Sequence, residues 1–163
     1  REGNVQYAAY YQLDALAAIT DQESFSLGFT NEDIYPASFR SKVNFLYGLG
    51  GAHHAAGIFS TYRLSGDGLK NTIVRLMKLA SHEFAHMRGL DHCTDYVCGV
   101  QGINNVKELD LSSLAFCSQD MAKICLVNGW SLKSAVVTDG GTCFTSSVSS
   151  SKRSWNLSRR AFI

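Results

Sequence analysis

The chain has little that would staple it, span a bilayer or bind a polyanion. It has a single proline, and none of its five cysteines precedes position 93, so the first half has no disulfide framework. Charged residues make up 18% of the chain and the formal net charge is +1, a balance that points to neither nucleic acid nor an anionic membrane as partner. No stretch approaches the roughly 18 consecutive apolar residues of a membrane helix. The opening residues lack the charged start, apolar middle and small-residue cleavage site of a secretory signal. These absences lead us to expect a cytoplasmic protein. Because the chain starts at Arg1 rather than Met, a leader already removed is the alternative. No internal repeat or long linker divides the chain.

What is present suffices for one compact domain: 163 residues, 45% of them hydrophobic. Small and apolar residues from Val5 to Ile19 predict an opening helix, and Ser24 to Thr30 alternates as a short strand. Asn31 to Pro36 has turn chemistry. Val43 to Leu49 and Gly57 to Arg63 are two further strand candidates, with Gly48, Gly50 and Gly51 suggesting a loop or hairpin between them. From Gly68 to Leu90 the period becomes helical. Ile73, Leu76, Met77, Ala80, Phe84 and Met87 share one face, and His82 and His86 fall roughly opposite; Gly89 ends the helix. Asp120 to Val137 suggests another helix, interrupted at Asn128-Gly129. Thr145 to Ser154 is low in complexity, and the basic cluster Lys152, Arg153, Arg159 and Arg160 reads as a solvated tail or a partner contact.

The chemistry concentrates between His82 and Cys93. Residues four apart on a helix share a face, so His82 and His86 can bind one metal ion. Glu83, beside the first of them, can reach a water on that ion as general base. Gly89 permits a sharp turn that returns His92 as third ligand. Three protein ligands leave a position open for water, as a catalytic zinc site requires. A His-Glu-x-x-His helix alone arises by accident; the added glycine and third histidine make the pattern specific. Cys93, Cys98, Cys117, Cys125 and Cys143 begin just after it, odd in number and clustered, which suggests a second metal site more than disulfides.

This extended motif resembles the metzincins, and the cysteine directly after the third histidine narrows the resemblance to the archaemetzincins. Their pattern runs HExxHxxGxxHC, four residues, CxM, about seventeen residues and CxxC. Here Cys98 follows Cys93 after the same gap, and Cys117 comes one residue early. Upstream, FSLGFTNEDIYP, VNFLYGLG and GIFSTYR also look like the family's strands, so the resemblance runs from about Ser24 to Cys117. There are two departures: Val100 replaces the methionine that supplies an apolar floor beneath the metal, with Met121 a remote substitute, and Asp120 replaces the last cysteine.

The resemblance implies an α/β (α+β) fold with a small mixed, twisted sheet packed on the active-site helix. It implies a catalytic core over residues 1–92, a cysteine-bearing subdomain over 93–144 and a basic tail over 145–163. The implied activity is zinc-dependent hydrolysis of peptide bonds, as an endopeptidase or an aminopeptidase-like enzyme, on a peptide or protein substrate. A catalytically impaired zinc-binding interaction module is the alternative. Besides the catalytic zinc, it implies a structural zinc on Cys93, Cys98, Cys117 and Asp120, with Cys125 as the competing fourth ligand. By analogy Gly57 to Arg63 would be the edge strand that aligns substrate. His53 and His54 read as loop histidines or substrate contacts, and Asp91 as a solvated or ligand-orienting group. Tyr47, Tyr62 and Tyr96 read as core residues or as donors to a tetrahedral intermediate.

Overall fold

A computed structural model describes residues 5–21, 24–37, 43–51 and 55–129. Strand β1 (Tyr7–Ala8) leads into helix α1 (Ala9–Ile19), followed by β2 (Ser26–Thr30), β3 (Ile34–Tyr35), β4 (Gly48–Gly51) and β5 (Ala56–Ser60). Helices α2 (Leu69–Met87), α3 (Val106–Leu111) and α4 (Ser118–Val127) complete the order. The three-stranded sheet runs β2-β5-β4 and is mixed: β5 is parallel to β2 and antiparallel to β4. A two-residue parallel pairing joins β1 to β3.

Strand β5 is buried along its whole length because both faces of the sheet are covered. Ile58 faces a core shared with Ala9 and Leu13 of α1, and Phe59 faces the opposite core with Leu79 of α2 and Leu109 of α3. A third cluster, Ala85 and Leu90 with Cys98, Val100 and Ile124, packs the cysteine-bearing region onto the end of α2.

Several expectations are corrected. The central position of β5 overturns Gly57 to Arg63 as the edge; the outer strands are β2 and β4, and of these β4 packs against α2. The glycines expected in a loop lie within β4, since their lack of side chains lets strand and helix approach closely. The inward face of α2 is not the most apolar one: Ile73 and Met77 are 46% and 51% exposed. Of that expected face Met87 is buried, but the rest of the buried stripe is Arg75, Leu79, His82 and Ala85. Arg75 can be buried because its guanidinium meets Asp110 at 2.7 Å, Asp67 at 2.6 Å and the Leu64 carbonyl at 2.9 Å. The opening helix begins at Ala9, after a short strand. The turn segment Asn31 to Pro36 contains β3, beside the buried Asp33, which is held by Arg63 and Gln6. Helix α4 begins two residues before the expected start; its expected extension past 129, like the serine-rich tail, lies outside the described residues.

Candidate metal centre

The metal-site geometry starts with how α2 ends. Gly89 takes φ +82°, a left-handed conformation that most side chains resist, and the Leu90 amide bonds back to the Ala85 carbonyl. The reversed chain returns His92 towards the helix. The three imidazole centroids stand 4.6 Å (His82–His86), 5.3 Å (His82–His92) and 4.9 Å (His86–His92) apart. One donor atom from each ring lies within 4.8 Å of the others.

Two of the rings are oriented by backbone carbonyls. The Nδ1 of His82 lies 3.1 Å from the Gly99 oxygen, and the Nδ1 of His86 lies 2.7 Å from the Leu90 oxygen. A carbonyl only accepts, so each Nδ1 carries the proton and each Nε2 presents a lone pair. Those two Nε2 atoms face one another at 3.0 Å. Two lone pairs at that distance repel unless a cation lies against both, and this is the donor chemistry that fits zinc. Burial, then repulsion from His86, pushes the His82 pKa down to about 4, and burial lowers that of His86. Both rings are therefore neutral at pH 7, the ligating form. His92 is exposed at the rim.

Glu83 lines the same cavity as the histidines. Its Oε2 accepts from the Gly50 amide of β4 at 3.0 Å, and burial pushes its pKa up to about 7, with the Gly50 hydrogen bond acting in the opposite sense. The cavity, of about 250 Å³, is lined by Glu83 and all three histidines together with Phe45, Tyr47, Leu79, Ile103 and Leu109. Tyr47 thus reaches the cavity, whereas Tyr62 and Tyr96 are exposed. Val100, at the expected methionine position, is fully buried beside Ala85 and Leu90. Asp91 is exposed, and His53 and His54 lie outside the described residues.

The second cluster also assembles. Donor atoms of Cys93, Cys98, Cys117 and Asp120 lie within 4.8 Å of one another. The Asp120 Oδ2 is 3.3 Å from both the Cys98 and Cys117 sulfurs, and its Oδ1 accepts from Lys123 at 2.7 Å. The sulfurs of Cys93 and Cys117 stand 4.0 Å apart, about twice a disulfide bond length. Burial pushes the Cys98 thiol up to about 12. Burial also opposes ionisation of Asp120, but Lys123 and the surrounding thiols outweigh it and bring that carboxyl down to about 2. Three sulfurs and a carboxylate oxygen match the donor set of a tetrahedral zinc site. Cys125 is buried further along α4 and is not part of this cluster; Cys143 lies outside the described residues.

Sequence reasoning missed α3 and with it the cavity wall formed by Ile103 and Leu109. The signal was there: Asn105 caps the helix, its side chain accepting from the Glu108 amide at 3.0 Å, and Glu108 reaches back to accept from the Asn104 amide at 2.8 Å. It also missed the Gly50 amide and the Gly99 carbonyl, which are backbone groups with no residue-type signature.

Comparison with known proteins bears on this geometry. The family model described as Peptidase family M54 matches residues 11–125. An archaemetzincin of Aeropyrum pernix is 35% identical over 107 residues, covering 63% of this chain and 54% of that protein. One of Methanopyrus kandleri is 30% identical over 112 residues, 69% of this chain and 62% of its own length. The crystal structure of the Methanopyrus kandleri archaemetzincin superposes with a TM-score of 0.67 at 28% identity, covering 75% of this chain and 66% of that one. The Archaeoglobus fulgidus archaemetzincin, complexed with malonate, superposes with a TM-score of 0.60 at 28% identity, covering 72% and 69%. The chain thus spans between 54% and 62% of the length of these first two relatives.

Proposed function

The chain belongs to peptidase family M54, the archaemetzincins, and on that premise we propose that it hydrolyses peptide bonds at a zinc site formed by His82, His86 and His92, with Glu83 as general base. The observation carrying this reading is the convergence of three imidazole donors within 4.8 Å on a cavity that Glu83 also lines. Zinc, when bound, supplies a Lewis acid that acidifies water and polarises the scissile carbonyl. The carbonyl-bonded Nδ1 atoms of His82 and His86 keep both rings in the ligating tautomer throughout the cycle. Glu83, with a pKa near neutrality, takes a proton from the attacking water and passes it to the departing amine. The Gly50 amide holds that carboxylate in place.

Strand β4 ends the sheet beside the cavity, so an extended substrate backbone finds its pairing partner there. The Leu79, Ile103 and Leu109 side chains favour an apolar substrate residue. The second cluster, Cys93, Cys98, Cys117 and Asp120, would hold a structural zinc in a subdomain that begins at Cys93.

The test is a peptide-library digest by metallated protein with and without chelator, alongside Glu83→Gln. The variant should retain its metal and lose about 10²–10⁴-fold in turnover. Chelator-sensitive cleavage undiminished in Glu83→Gln would refute the assigned role. No cleavage of any peptide by the fully metallated protein would make this a zinc-binding interaction module instead.

A further inference from the structure

We propose that the cysteine cluster positions the histidine cluster, so that a metal ion on Cys93, Cys98, Cys117 and Asp120 raises the affinity of His82, His86 and His92 for theirs. The inference rests on the reading that both clusters bind metal, and goes beyond it by making the second ion a control on the first.

Two of the three imidazoles are presented by the cysteine loop. The carbonyl that accepts from His82 Nδ1 belongs to Gly99, one residue after the buried Cys98. His92 is joined by a single peptide bond to Cys93, whose amide donates to the Val100 carbonyl at 3.0 Å, and Cys93 bridges Gln101 in parallel register. Gly102 lies beneath the His92 ring, close enough that a side-chain carbon there would stand 3.5 Å from its Nδ1. Segment 98–102 is therefore the floor on which both rings rest.

That floor is tied to the cluster on its other side. The Gly99 amide donates to the Ala115 carbonyl at 2.9 Å, and the Cys117 amide donates to the Cys98 sulfur at 3.2 Å. An ion bridging Cys93, Cys98, Cys117 and Asp120 joins these three segments at one point and removes their freedom to slide. His86 is the internal contrast: its Nδ1 partner is the Leu90 carbonyl, four residues on in the turn that follows α2 rather than in segment 98–102. Emptying the cysteine site should loosen His82 and His92 and leave His86 oriented. Losing such an outer partner typically costs about 10–100-fold in metal affinity.

The experiment uses the full chain. One equivalent of Cd²⁺, a soft ion that prefers thiolates, loads the cysteine site. Co²⁺ is then titrated into the histidine site and followed by its visible absorption. The comparison protein carries Cys98→Ser and Cys117→Ser. We expect cobalt to bind the double variant about 10–100-fold more weakly. Equal affinity, within about twofold, overturns this inference alone; a cadmium-loaded wild type that takes up no cobalt overturns the peptidase reading as well. A second measurement needs no variant: imidazole Nδ1–H resonances of the wild-type protein, with and without one equivalent of Cd²⁺. The His82 proton should become protected from exchange on cadmium binding while the His86 proton stays unchanged. Identical protection of the His82 proton in both states overturns the proposal even if the double variant does not fold.

Discussion

Replacing Gly50 with alanine probes the contact on which Glu83 depends. A methyl group at that position would stand 3.0 Å from the Glu83 backbone oxygen, 3.0 Å from its Oε2 and 3.1 Å from its Cβ. Two of those three atoms belong to or adjoin the backbone of α2 and cannot rotate away, so strand β4 must retreat. Overpacking of this kind costs about 1–3 kcal/mol of stability. The retreat also breaks the 3.0 Å bond from the Gly50 amide to the carboxylate. Hydrogen bonds to charged groups contribute about 1.5–3 kcal/mol, equivalent to about 1–2 pH units on the acceptor. That bond opposes the burial that pushes the Glu83 pKa up to about 7. Without it the carboxyl should titrate higher still, and less of it should be the active base at neutrality. The acid limb of the pH–rate profile in Gly50→Ala should therefore move upward by about 1–2 units, with much of the lost rate recovered at higher pH. A bound cation lowers the limb in both proteins alike, so the difference between them is the readout. The assay is chelator-sensitive cleavage of a fluorogenic peptide from pH 5 to 9, with urea denaturation run in parallel. An unshifted acid limb at reduced stability would refute the role of the Gly50 amide, and unchanged stability would refute the close approach itself.

Other outcomes follow from the same structure. Asp33 is 1% exposed and paired with Arg63, which retains 22%, so Asp33→Asn should cost about 2–3 kcal/mol, below the ~3–5 kcal/mol of a fully buried pair. The Arg63 hydrogen bond, against opposing burial, holds the Asp33 carboxyl below its usual range. Its contribution is thus complete above the unfolded value of about 3.9 and fades as pH falls through the lower folded value, and denaturation at pH 6 and in acid should show the gap to Asp33→Asn closing. Metal analysis should count two zinc ions per chain, and Asp120→Ala should weaken one of them without removing the other; a single ion whose retention is unchanged in Asp120→Ala would rule out the cysteine site. Leu109→Ala should enlarge the cavity wall, cost about 2–4 kcal/mol, and shift cleavage towards peptides with bulkier apolar side chains, and an unaltered peptide profile would show that α3 does not select substrate.

The convergence of His82, His86 and His92 was legible in the sequence because its geometry is local. Four-residue spacing on a helix, a glycine able to take positive φ and a short return to His92 are properties of a twelve-residue stretch, and no distant contact can move them far. Strands β2 and β5 were legible as strands, but β1 and β3 are two-residue pairings hidden in expected helix and turn, and the glycines of β4 read as a loop. Strand order is set by long-range pairing that no local pattern carries, so β5 passed for an edge. The inward face of α2 was misread because apolar count was taken as the guide. Arg75 and His82 are buried through partners that are distant in sequence, Asp110 in α3 and Gly99 in the cysteine loop. The near-neutral Glu83 and the apolar cavity wall likewise arise from desolvation and close approach between elements separate in sequence, Gly50 and Glu83 being 33 residues apart. Covalent spacing set which groups could act; long-range packing decided what each of them faces, and hence its charge and reach.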